Sequence, residues 1–301
     1  MSILLIGGNG FVGRKLARDL LKSGNNVVCY SEGPPHEVVE GIHYVTGDIN
    51  EFGTLLQTMK KFKVRKVIHN AAISHPKLFR DNPYKIFKIN TVGTLHALEA
   101  SRLFDVERFV YISSGAVYGN VDKNIVVEEE RLYGANPYGA SKIASEEMVR
   151  NYGIPSAILR PAFIYGPGRR MDCPIREILT NAILQQPTNW EKGLDQRLDF
   201  IYIDDLVNAI IQATVSEGIV NSVYNVGGGG GVKFSEIADI VRQLYPNSMI
   251  NIGTGDLGYD NLGALDIRKA EEDLKWRPMV RLSDGIKEYA TWLERVIYNE
   301  K

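Results

Sequence analysis

The chain has 301 residues, 44% of them hydrophobic and 24% charged, with a formal net charge of −1. This composition is typical of a globular protein with one large and one small domain, and it argues against a disordered chain. The near-neutral charge offers no electrostatic footprint for nucleic acid or an anionic membrane, and no apolar stretch approaches the length of a membrane span, so we expect neither partner.

The first predicted elements are a strand and a helix joined by a glycine-rich turn. Residues 3–6 form an uncharged apolar run, which predicts a strand buried on both faces, and glycines follow at Gly7, Gly10 and Gly13. Beyond them, apolar residues recur at the i, i+4, i+8 spacing of an amphipathic helix. Glycines permit the sharp turn and let a diphosphate approach the helix N-terminus, whose N–H groups attract anions. A chance match among 29 glycines is the alternative, but the flanking strand and helix favour a dinucleotide site.

The start of the chain, its cysteines and its histidines bear on where the protein works and what it binds. The first strand begins at residue 3, which leaves no room for a signal or transit peptide, so we expect a cytoplasmic protein. Cys29 and Cys173 stand outside any Cys-x-x-Cys pair, and the five histidines are scattered. We therefore expect neither a disulfide framework nor a metal site.

Strands and helices alternate through the first half of the chain. Strands are predicted over residues 27–30, 42–45, 66–68 and 109–112, and helices over residues 52–62 and 83–104. Such alternation predicts a parallel, doubly wound sheet whose ligands lie at the carboxyl ends of the strands. Ser31 stands where such folds meet the adenosine ribose, and Ala71 and Ala72 are small enough to let the backbone approach a ligand closely.

The second half continues this pattern and then adds further helices. A helix is predicted over residues 136–152, strands over residues 157–159, 200–203 and 223–226, and helices over residues 235–244, 268–273 and 285–296. We therefore predict an α/β fold, a Rossmann-like doubly wound parallel sheet with a smaller C-terminal substrate-binding lobe. The dinucleotide-binding domain takes residues 1–165 plus about 195–232, and the lobe takes about 166–194 plus 233–301.

A tyrosine and a lysine four residues apart open the helix that follows the fifth strand. Tyr138 and Lys142 would share one face of that helix, so that a phenol and an ammonium group lie together. The spacing alone is weak, because Tyr84 and Lys88 repeat it in a chain with 15 tyrosines. Only Tyr138 follows the strand that ends near Ser114, so its phenol, a serine hydroxyl and an ammonium group can converge at the carboxyl edge of the sheet. We interpret Tyr84 and Lys88 as structural.

Short motifs along nearly the whole chain match one known pattern. They are the glycine stretch at 7–13, Gly-Asp-Ile at 47–49, Val-Ile-His-Asn-Ala-Ala at 67–72, Asn-Thr-Val-Gly-Thr at 90–94, Tyr-Ile-Ser-Ser at 111–114, Val-Tyr-Gly at 117–119, Pro-Tyr-Gly-Ala-Ser-Lys at 137–142, Leu-Arg-Pro at 159–161, Tyr-Gly-Pro-Gly at 165–168 and Asp-Phe-Ile-Tyr-Ile-Asp-Asp at 199–205. Together they make the chain resemble the extended short-chain dehydrogenase/reductase family, the group that holds sugar epimerases and dehydratases.

This resemblance implies a role for each motif residue. Tyr138 would be the general acid or base, Lys142 would lower the pKa of its phenol and hold the nicotinamide ribose, and Ser114 would hydrogen-bond the substrate oxygen. Asn90 would be a structural or relay group, and Asp48 would contact adenine unless it only caps the next helix. The implied cofactor contacts are Gly7, Gly10, Phe11, Val12, Gly13, Ser31, Asp48, Ile49, Ala71, Ala72, Asn90, Ser113, Tyr138, Lys142, Pro161 and Ile164.

The function implied by the resemblance is hydride transfer at a secondary hydroxyl or keto carbon of a sugar, sugar acid or similar polyol, by a dehydrogenase or an epimerase. Dehydration is disfavoured, because Gly115 and Ala116 stand where that subfamily has Asp-Glu. Two alternatives stay open. One is a nucleotide-sugar 4-epimerase similar to UDP-glucose 4-epimerase, and the other is a catalytically inactive dinucleotide sensor, against which the presence of both Tyr138 and Lys142 argues.

We expect NAD rather than NADP as the cofactor. Ser31 replaces the family's NAD-selecting Asp, yet Glu32 would repel a 2′-phosphate and no Arg or Lys follows nearby. Arg14 is the one basic residue that we consider able to reach such a phosphate and reverse the preference.

We expect the substrate to carry no nucleotide diphosphate. Phe163 replaces the Asn that follows Leu-Arg-Pro in nucleotide-sugar epimerases, and Leu198 replaces their Arg, although Arg197 beside it could substitute. Residues 255–260 likewise lack the Arg of an Arg-Pro-Gly-Asp-like stretch. Loss of these charge-assisted partners would weaken diphosphate binding by orders of magnitude. Candidate substrate contacts are Ser74, Ser114, Phe163, Arg169, Arg170 and Arg197, with the adjacent arginines as holders of a carboxylate or phosphate.

The resemblance also implies a homodimer. In this family the helices that correspond to residues 83–104 and 138–152 usually pair about a two-fold axis into a four-helix bundle. The apolar residues Ile86, Ile89, Val92 and Leu95 would fit such an interface, although they could equally face the sheet.

Overall fold

Strands and helices alternate along the described chain, which comprises residues 1–74, 81–171 and 173–299 of a computed structural model. The strands are β1 (Ser2–Ile6), β2 (Asn26–Ser31), β3 (Ile42–Thr46), β4 (Lys66–His69), β5 (Arg108–Ile112), β6 (Ile125–Val126), β7 (Ser156–Pro161), β8 (Phe163–Tyr165), β9 (Thr188–Trp190), β10 (Arg197–Tyr202), β11 (Ser222–Val226), β12 (Gly231–Lys233), β13 (Ile250–Ile252) and β14 (Ala264–Leu265). The α-helices are α1 (Phe11–Lys22), α2 (Phe52–Phe62), α3 (Pro83–Phe87), α4 (Gly93–Leu103), α5 (Pro137–Asn151), α6 (Pro174–Ile183), α7 (Ile203–Val215), α8 (Phe234–Leu244), α9 (Arg268–Leu274) and α10 (Leu282–Asn299).

Within the described residues, the largest sheet has seven strands in the order β11-β7-β5-β4-β1-β2-β3. All of its neighbouring strands run parallel. The strand order reverses between β1 and β4, and parallel sheets open a crevice for ligands at the carboxyl ends of the strands where this happens. The predicted doubly wound, Rossmann-like sheet is therefore confirmed.

The main sheet is buried on both faces. Ile3 and Leu5 point into a core cluster that includes residues of α1 and α7, whereas Leu4 and Ile6 point into a second cluster with residues of α2 and α4. This division follows from the two-residue period of a strand. It explains why β1 is an uninterrupted apolar run rather than an alternating one.

A smaller sheet joins β8, β10 and β12, in which β10 runs parallel to β8 and antiparallel to β12. The strand predicted at residues 200–203 therefore lies outside the main sheet, although our division of the chain places it in the large domain. The Asp199 carboxylate accepts hydrogen bonds from Gly228 N and Leu265 N, both at 3.0 Å, and so ties β10 to the segment after β11 and to β14.

The helix predicted over residues 83–104 contains a π-helical turn, Lys88–Val92, between α3 and α4. The widened turn lets the Asn90 carbonyl accept a second hydrogen bond, from Ser145 Oγ of α5 at 3.0 Å. The Asn90 amide accepts from Ile73 N at 2.8 Å and donates to Ser141 Oγ at 3.0 Å. Asn90 thus joins the segment after β4 to α5, which supports the structural role expected for it.

Membrane-spanning helices and metal clusters were not expected from the sequence. Among the described residues, no helix has both the length and the apolar character that a membrane crossing requires. In the same ranges, the His, Cys, Asp and Glu side chains form no group of three or more that could hold a metal ion.

Candidate active site

A cavity of about 530 Å³ opens at the carboxyl ends of the main-sheet strands. Its walls come from the glycine turn before α1, the ends of β2, β4 and β5, the first turns of α5, the segment from β7 to β8, and the chain before β14. The sequence-predicted residues that line it are Gly7, Gly10, Phe11, Val12, Ser31, Asp48, Ile49, Ala71, Ala72, Ser74, Ser113, Ser114, Tyr138, Lys142, Pro161, Phe163, Ile164, Arg169 and Arg170. Gly13 and Asn90 support this wall through their contacts with Gly7 and Ile73.

The glycine turn has the shape that a dinucleotide diphosphate requires. Gly7 has a φ of +87°, and a Cβ at this position would lie 2.7 Å from Ala71 N. A Cβ on Gly13 would collide with the Gly7 carbonyl oxygen, so glycine allows α1 to start close to β1. In the described chain no side chain caps the N-terminus of α1, and its first turn carries no acidic residue. The uncapped N–H groups therefore fit the diphosphate of NAD.

The polar residues at the adenosine end fit NAD better than NADP. Ser31 Oγ, at the end of β2, accepts a hydrogen bond from Asn9 N at 3.0 Å, and Glu32 lines the cavity beside it. The carboxylate of Glu32 would repel a 2′-phosphate. Arg14, the basic residue that could have bound a 2′-phosphate, instead donates from Nη2 to the Gly168 carbonyl at 3.2 Å.

Asp48 shapes the turn before α2 as well as lining the cavity. Its Oδ1 accepts hydrogen bonds from Asn50 N at 2.8 Å and Asn50 Nδ2 at 2.9 Å. The N-cap position of α2 is Glu51, so Asp48 stabilises the preceding turn rather than capping the helix directly. Both interpretations of Asp48, as a turn residue and as a cavity residue, are compatible with this placement.

Ser114, Tyr138 and Lys142 converge in the cavity. Asn136 caps α5 by accepting from Gly139 N at 3.0 Å, and this cap places Tyr138 in the first helical turn with Lys142 one turn later. Ser114 follows β5, and its hydroxyl is hydrogen-bonded to Tyr138 while accepting from Ala116 N at 3.1 Å. By contrast, the side chain of Tyr84 is 74% exposed on α3.

Burial dominates the electrostatics of this group. It raises the pKa of Tyr138, and the Ser114 hydrogen bond and the charge of Arg169 oppose that rise. Burial lowers the pKa of Lys142 to about 7, opposed by the Glu146 carboxylate. Lys142 Nζ donates to the Ile112 carbonyl at 2.7 Å. The expectation that Lys142 lowers the pKa of Tyr138 stays a prediction.

Aromatic and apolar side chains form the far end of the cavity. Phe163 makes edge contacts with Tyr259 and Phe200, at centroid distances of 5.9 and 5.6 Å. Leu198 and Leu262 also line this end. The guanidinium of Arg169 lies over the Phe163 ring, with Cζ 5.0 Å from its centroid.

Arg197 points away from this cavity. Its Nη1 donates to Asn124 Oδ1 at 2.8 Å, and the side chain lines a second cavity of about 670 Å³. Adjacent residues of a strand face opposite sides, so Leu198 takes the inward position in β10. The structure thus separates Arg197 from the other predicted substrate contacts.

Several residues of the site are not singled out by the sequence. Asp199, Tyr259 and Asp260 line the substrate end of the cavity. In the sequence, Asp199 opens the Asp-Phe-Ile-Tyr-Ile-Asp-Asp motif. Tyr259 and Asp260 lie in the stretch at 255–260 that departs from the family's Arg-Pro-Gly-Asp-like pattern. Glu146, buried behind Lys142, accepts from Ser113 Oγ at 2.6 Å and from Arg160 Nη2 at 2.6 Å. The sequence signal that could have identified Glu146 is its position four residues, or one helical turn, after Lys142.

The chain is similar to known proteins over almost its whole length. The sequence model of the NAD dependent epimerase/dehydratase family matches residues 3–227. A UDP-glucose 4-epimerase of Mycolicibacterium smegmatis is 30% identical, over 95% of this chain and 96% of its own. A dTDP-glucose 4,6-dehydratase of Salmonella typhimurium is 27% identical, over 97% of this chain and 92% of its own. The crystal structure of UDP-glucuronic acid 4-epimerase from Bacillus cereus, in complex with UDP-glucuronic acid and NAD, has a TM-score of 0.89 and 26% identity, and the match covers 98% of this chain and 100% of that chain.

Proposed function

The chain belongs to the NAD dependent epimerase/dehydratase family, and on that premise we propose that it catalyses hydride transfer at a secondary hydroxyl or keto carbon of a sugar-like substrate. The observation that carries this proposal is the convergence of Ser114, Tyr138 and Lys142 in the cavity that the glycine turn opens. NAD is the dinucleotide of the family, which confirms the expectation of NAD over NADP.

Each residue of the group has a chemical task in this proposal. NAD, when bound, supplies the carbon that accepts and returns a hydride. Tyr138 takes the proton of the reacting hydroxyl and gives it back to the carbonyl oxygen, and its burial excludes water from that transfer. The Ser114 hydroxyl, which is hydrogen-bonded to Tyr138, holds the substrate oxygen within reach of the phenol. Lys142 would hold the nicotinamide ribose hydroxyls.

Two substrate classes have support. The names of the relatives favour a nucleotide sugar, since they include a UDP-glucose 4-epimerase and a dTDP-glucose 4,6-dehydratase. The cavity favours a sugar or sugar acid without a nucleotide, because Phe163 and Leu198 offer a diphosphate no hydrogen-bond donor from their side chains and Arg197 faces the second cavity. Arg169 and Arg170, which line the cavity, would hold a carboxylate of such a substrate or a phosphate group of a nucleotide sugar.

A thermal-shift screen with NAD present separates these classes. UDP-glucose, dTDP-glucose and UDP-glucuronic acid are compared with UDP alone, glucose and glucuronic acid. Stabilisation by the free sugar or sugar acid, with none by UDP, would support the nucleotide-free substrate. Stabilisation by UDP and by a UDP-sugar would instead support the nucleotide-sugar epimerase and show that other residues hold the diphosphate.

The dehydrogenase and the epimerase differ in net redox change. An epimerase restores its dinucleotide in every turnover, whereas a dehydrogenase converts NAD to NADH in proportion to product. Absorbance of NADH measured during turnover of the substrate found in the screen therefore decides between them. A protein that binds NAD but turns over no alcohol or nucleotide sugar would favour the inactive sensor.

We further propose that α3, the π-turn and α4 form a homodimer interface. Ile86 is 1% exposed and faces the interior, whereas Tyr84, Val92 and Leu95 are 74%, 41% and 40% exposed. Of the apolar residues that could have faced either the sheet or a partner, Ile86 thus faces the interior, whereas Val92 and Leu95 face outward. The outward set gives the self-complementary apolar stripe that a two-fold interface requires.

A further inference from the structure

The ammonium group of Lys142 is held by two adjacent residues of β5. Its Nζ donates to the Ile112 carbonyl at 2.7 Å, and it also lies over the ring of Tyr111, 4.8 Å from the ring centroid. The face of an aromatic ring carries partial negative charge and attracts a cation at this distance. The end of β5 thus offers both a carbonyl oxygen and a ring face to the same positive charge.

The Tyr111 ring is itself fixed by its neighbours. It is 1% exposed, and its centroid lies 5.7 Å from that of His69 on β4. His69 Nε2 is 2.9 Å from Thr94 Oγ1, which donates to the Asn90 carbonyl, so the proton between them belongs to Nε2. Burial and the charge of Lys142 lower the pKa of His69 to about 3, which keeps the imidazole neutral. His69 therefore orients the Tyr111 ring without adding a second cation.

A buried ammonium group needs partners that replace water. Burial lowers the pKa of Lys142 to about 7, and the Glu146 carboxylate opposes this change. The ammonium form has three N–H donors, of which the Ile112 carbonyl takes one. A ring face attracts the charge as a whole and provides no acceptor lone pair, so the remaining donors stay available for the hydroxyls of a ribose.

We propose that Tyr111 is a positioning residue of this site, whose ring face holds the charged side chain of Lys142 where the nicotinamide ribose binds. The proposal rests on the proposed function, in which Lys142 holds the ribose hydroxyls. The other titratable groups packed around Lys142 are Tyr138 and Glu146 on α5 and His69 on β4. The charged residues that line the same cavity as Lys142 are Glu32, Asp48, Arg169, Arg170, Asp199 and Asp260.

The test follows the titration of Lys142 itself and needs no substrate. In protein labelled with carbon-13 at the lysine Cε atoms, the Lys142 signal is identified by its absence from Lys142→Met and is followed against pH. In Tyr111→Leu we expect this titration to move to lower pH by about 1 unit, because the ammonium form loses the ring face. Tyr111→Phe keeps the ring and should titrate near the wild type. Tyr111→Phe with three fluorine atoms on the ring keeps the shape but weakens the negative face, so it should titrate at lower pH than Tyr111→Phe.

Cofactor affinity is the second measurement. NAD contains the nicotinamide ribose and ADP does not, so a displaced Lys142 affects only the binding of NAD. By calorimetry at neutral pH we expect Tyr111→Leu to weaken NAD binding by about threefold to tenfold and to leave ADP binding unaltered. Unchanged NAD affinity in this variant would overturn the positioning role.

Phe109→Leu serves as the matched control. Phe109 lies two residues earlier on the same face of β5, is 0% exposed and also contacts His69, with ring centroids 6.2 Å apart. Its loss removes a buried ring but leaves the ring under Lys142, so the Lys142 titration should not move. Equal downward shifts in Phe109→Leu and Tyr111→Leu would overturn the proposal, as would an unmoved titration in a folded Tyr111→Leu protein.

The fluorinated variant decides if Tyr111→Leu does not fold. A Lys142 titration equal to that of Tyr111→Phe would then overturn the proposal, because the two rings differ in the charge of their faces and not in their packing. Failure of the proposed function would show separately, as turnover that survives Tyr138→Phe.

Discussion

Tyr138 and Lys142 are ionisable groups that lie almost wholly out of water, with exposures of 6% and 3%. Their burial costs stability, since each would be better solvated on the surface. The same burial removes water from the reacting oxygen and leaves the charges of a few fixed groups to set the proton affinity of the phenol. Function and stability therefore oppose each other at these two residues, and each can be measured separately.

The first prediction concerns the proton-transfer role of Tyr138. Tyr138→Phe keeps the ring and its packing but removes the hydroxyl, so we expect turnover to fall by a factor of about 10² to 10⁴ with an unchanged circular dichroism spectrum. Tyr84→Phe, on the exposed side of α3, is the control and should leave turnover unaltered. Near-normal turnover of Tyr138→Phe would rule out the mechanism.

The second prediction concerns the pH dependence of stability at Lys142. Its folded pKa, about 7, lies below the ordinary value of 10.5, so between these pH values the unfolded chain holds a proton that the folded chain lacks. The cost of burying the charge is complete below pH 7 and fades as the pH rises toward 10.5. Lys142→Met should therefore exceed the wild type in free energy of unfolding at neutral pH, by on the order of a few kcal/mol, and the gain should shrink toward high pH.

Urea unfolding at a series of pH values measures this difference. Lys88→Met, at an exposed position of the π-turn, is the control and should show no comparable pH-dependent gain. A gain for Lys142→Met that stays constant from neutral to high pH would contradict the assignment of the cost to the buried ammonium group.

At the scale of elements, a buried ion pair joins α5 to the main sheet behind Tyr138 and Lys142. Glu146 is 0% exposed, and its carboxylate accepts from Arg160 Nη2 at 2.6 Å and Nε at 2.9 Å. Arg160 lies in β7, is 1% exposed and also donates to the Tyr118 hydroxyl at 2.8 Å. The pair therefore orients the helix that carries Tyr138 and Lys142 on the strand beside it.

The third prediction follows from this pair. Glu146→Gln leaves the Arg160 guanidinium buried without its counter-charge, which should lower the free energy of unfolding by about 3 to 5 kcal/mol. Glu147→Gln, one residue along the same helix, breaks only an exposed pair with Arg150 and should cost less than about 1 kcal/mol. Denaturant unfolding of both variants gives the comparison, and equal losses would contradict a special role for the buried pair.

At the scale of the whole molecule, the outward apolar stripe of α3 and α4 predicts a dimer. Leu95→Glu places a charge in the middle of this stripe, where a two-fold axis would bring two carboxylates together, so we expect dissociation to monomers. Light scattering at micromolar concentration measures the mass. Met279→Glu, at an exposed apolar position elsewhere on the chain, is the control and should leave the mass unchanged. A monomeric wild type would refute the proposed interface.

The sequence by itself predicted the seven strands of the main sheet and its parallel type, and it predicted that Ser114, Tyr138 and Lys142 lie together. Apolar periodicity is a local property of the chain, so the run at residues 3–6 and the spacing after Gly13 predict a buried strand and an amphipathic helix without knowledge of their neighbours. The convergence of Ser114 and Tyr138 followed because strand and helix alternation leaves few topologies, and all of these bring the carboxyl ends of the strands to one edge.

Only the tertiary structure decided what depends on partners distant in sequence. β10 pairs with β8 and β12, and nothing within its own residues distinguishes that pairing from a place in the main sheet. The directions of Ile86 and Leu95 depended on where the sheet lies relative to α3 and α4. The lowered pKa of Lys142 depended on how deeply the side chain is buried, because a proton affinity is set by the packed surroundings and not by the residue type alone.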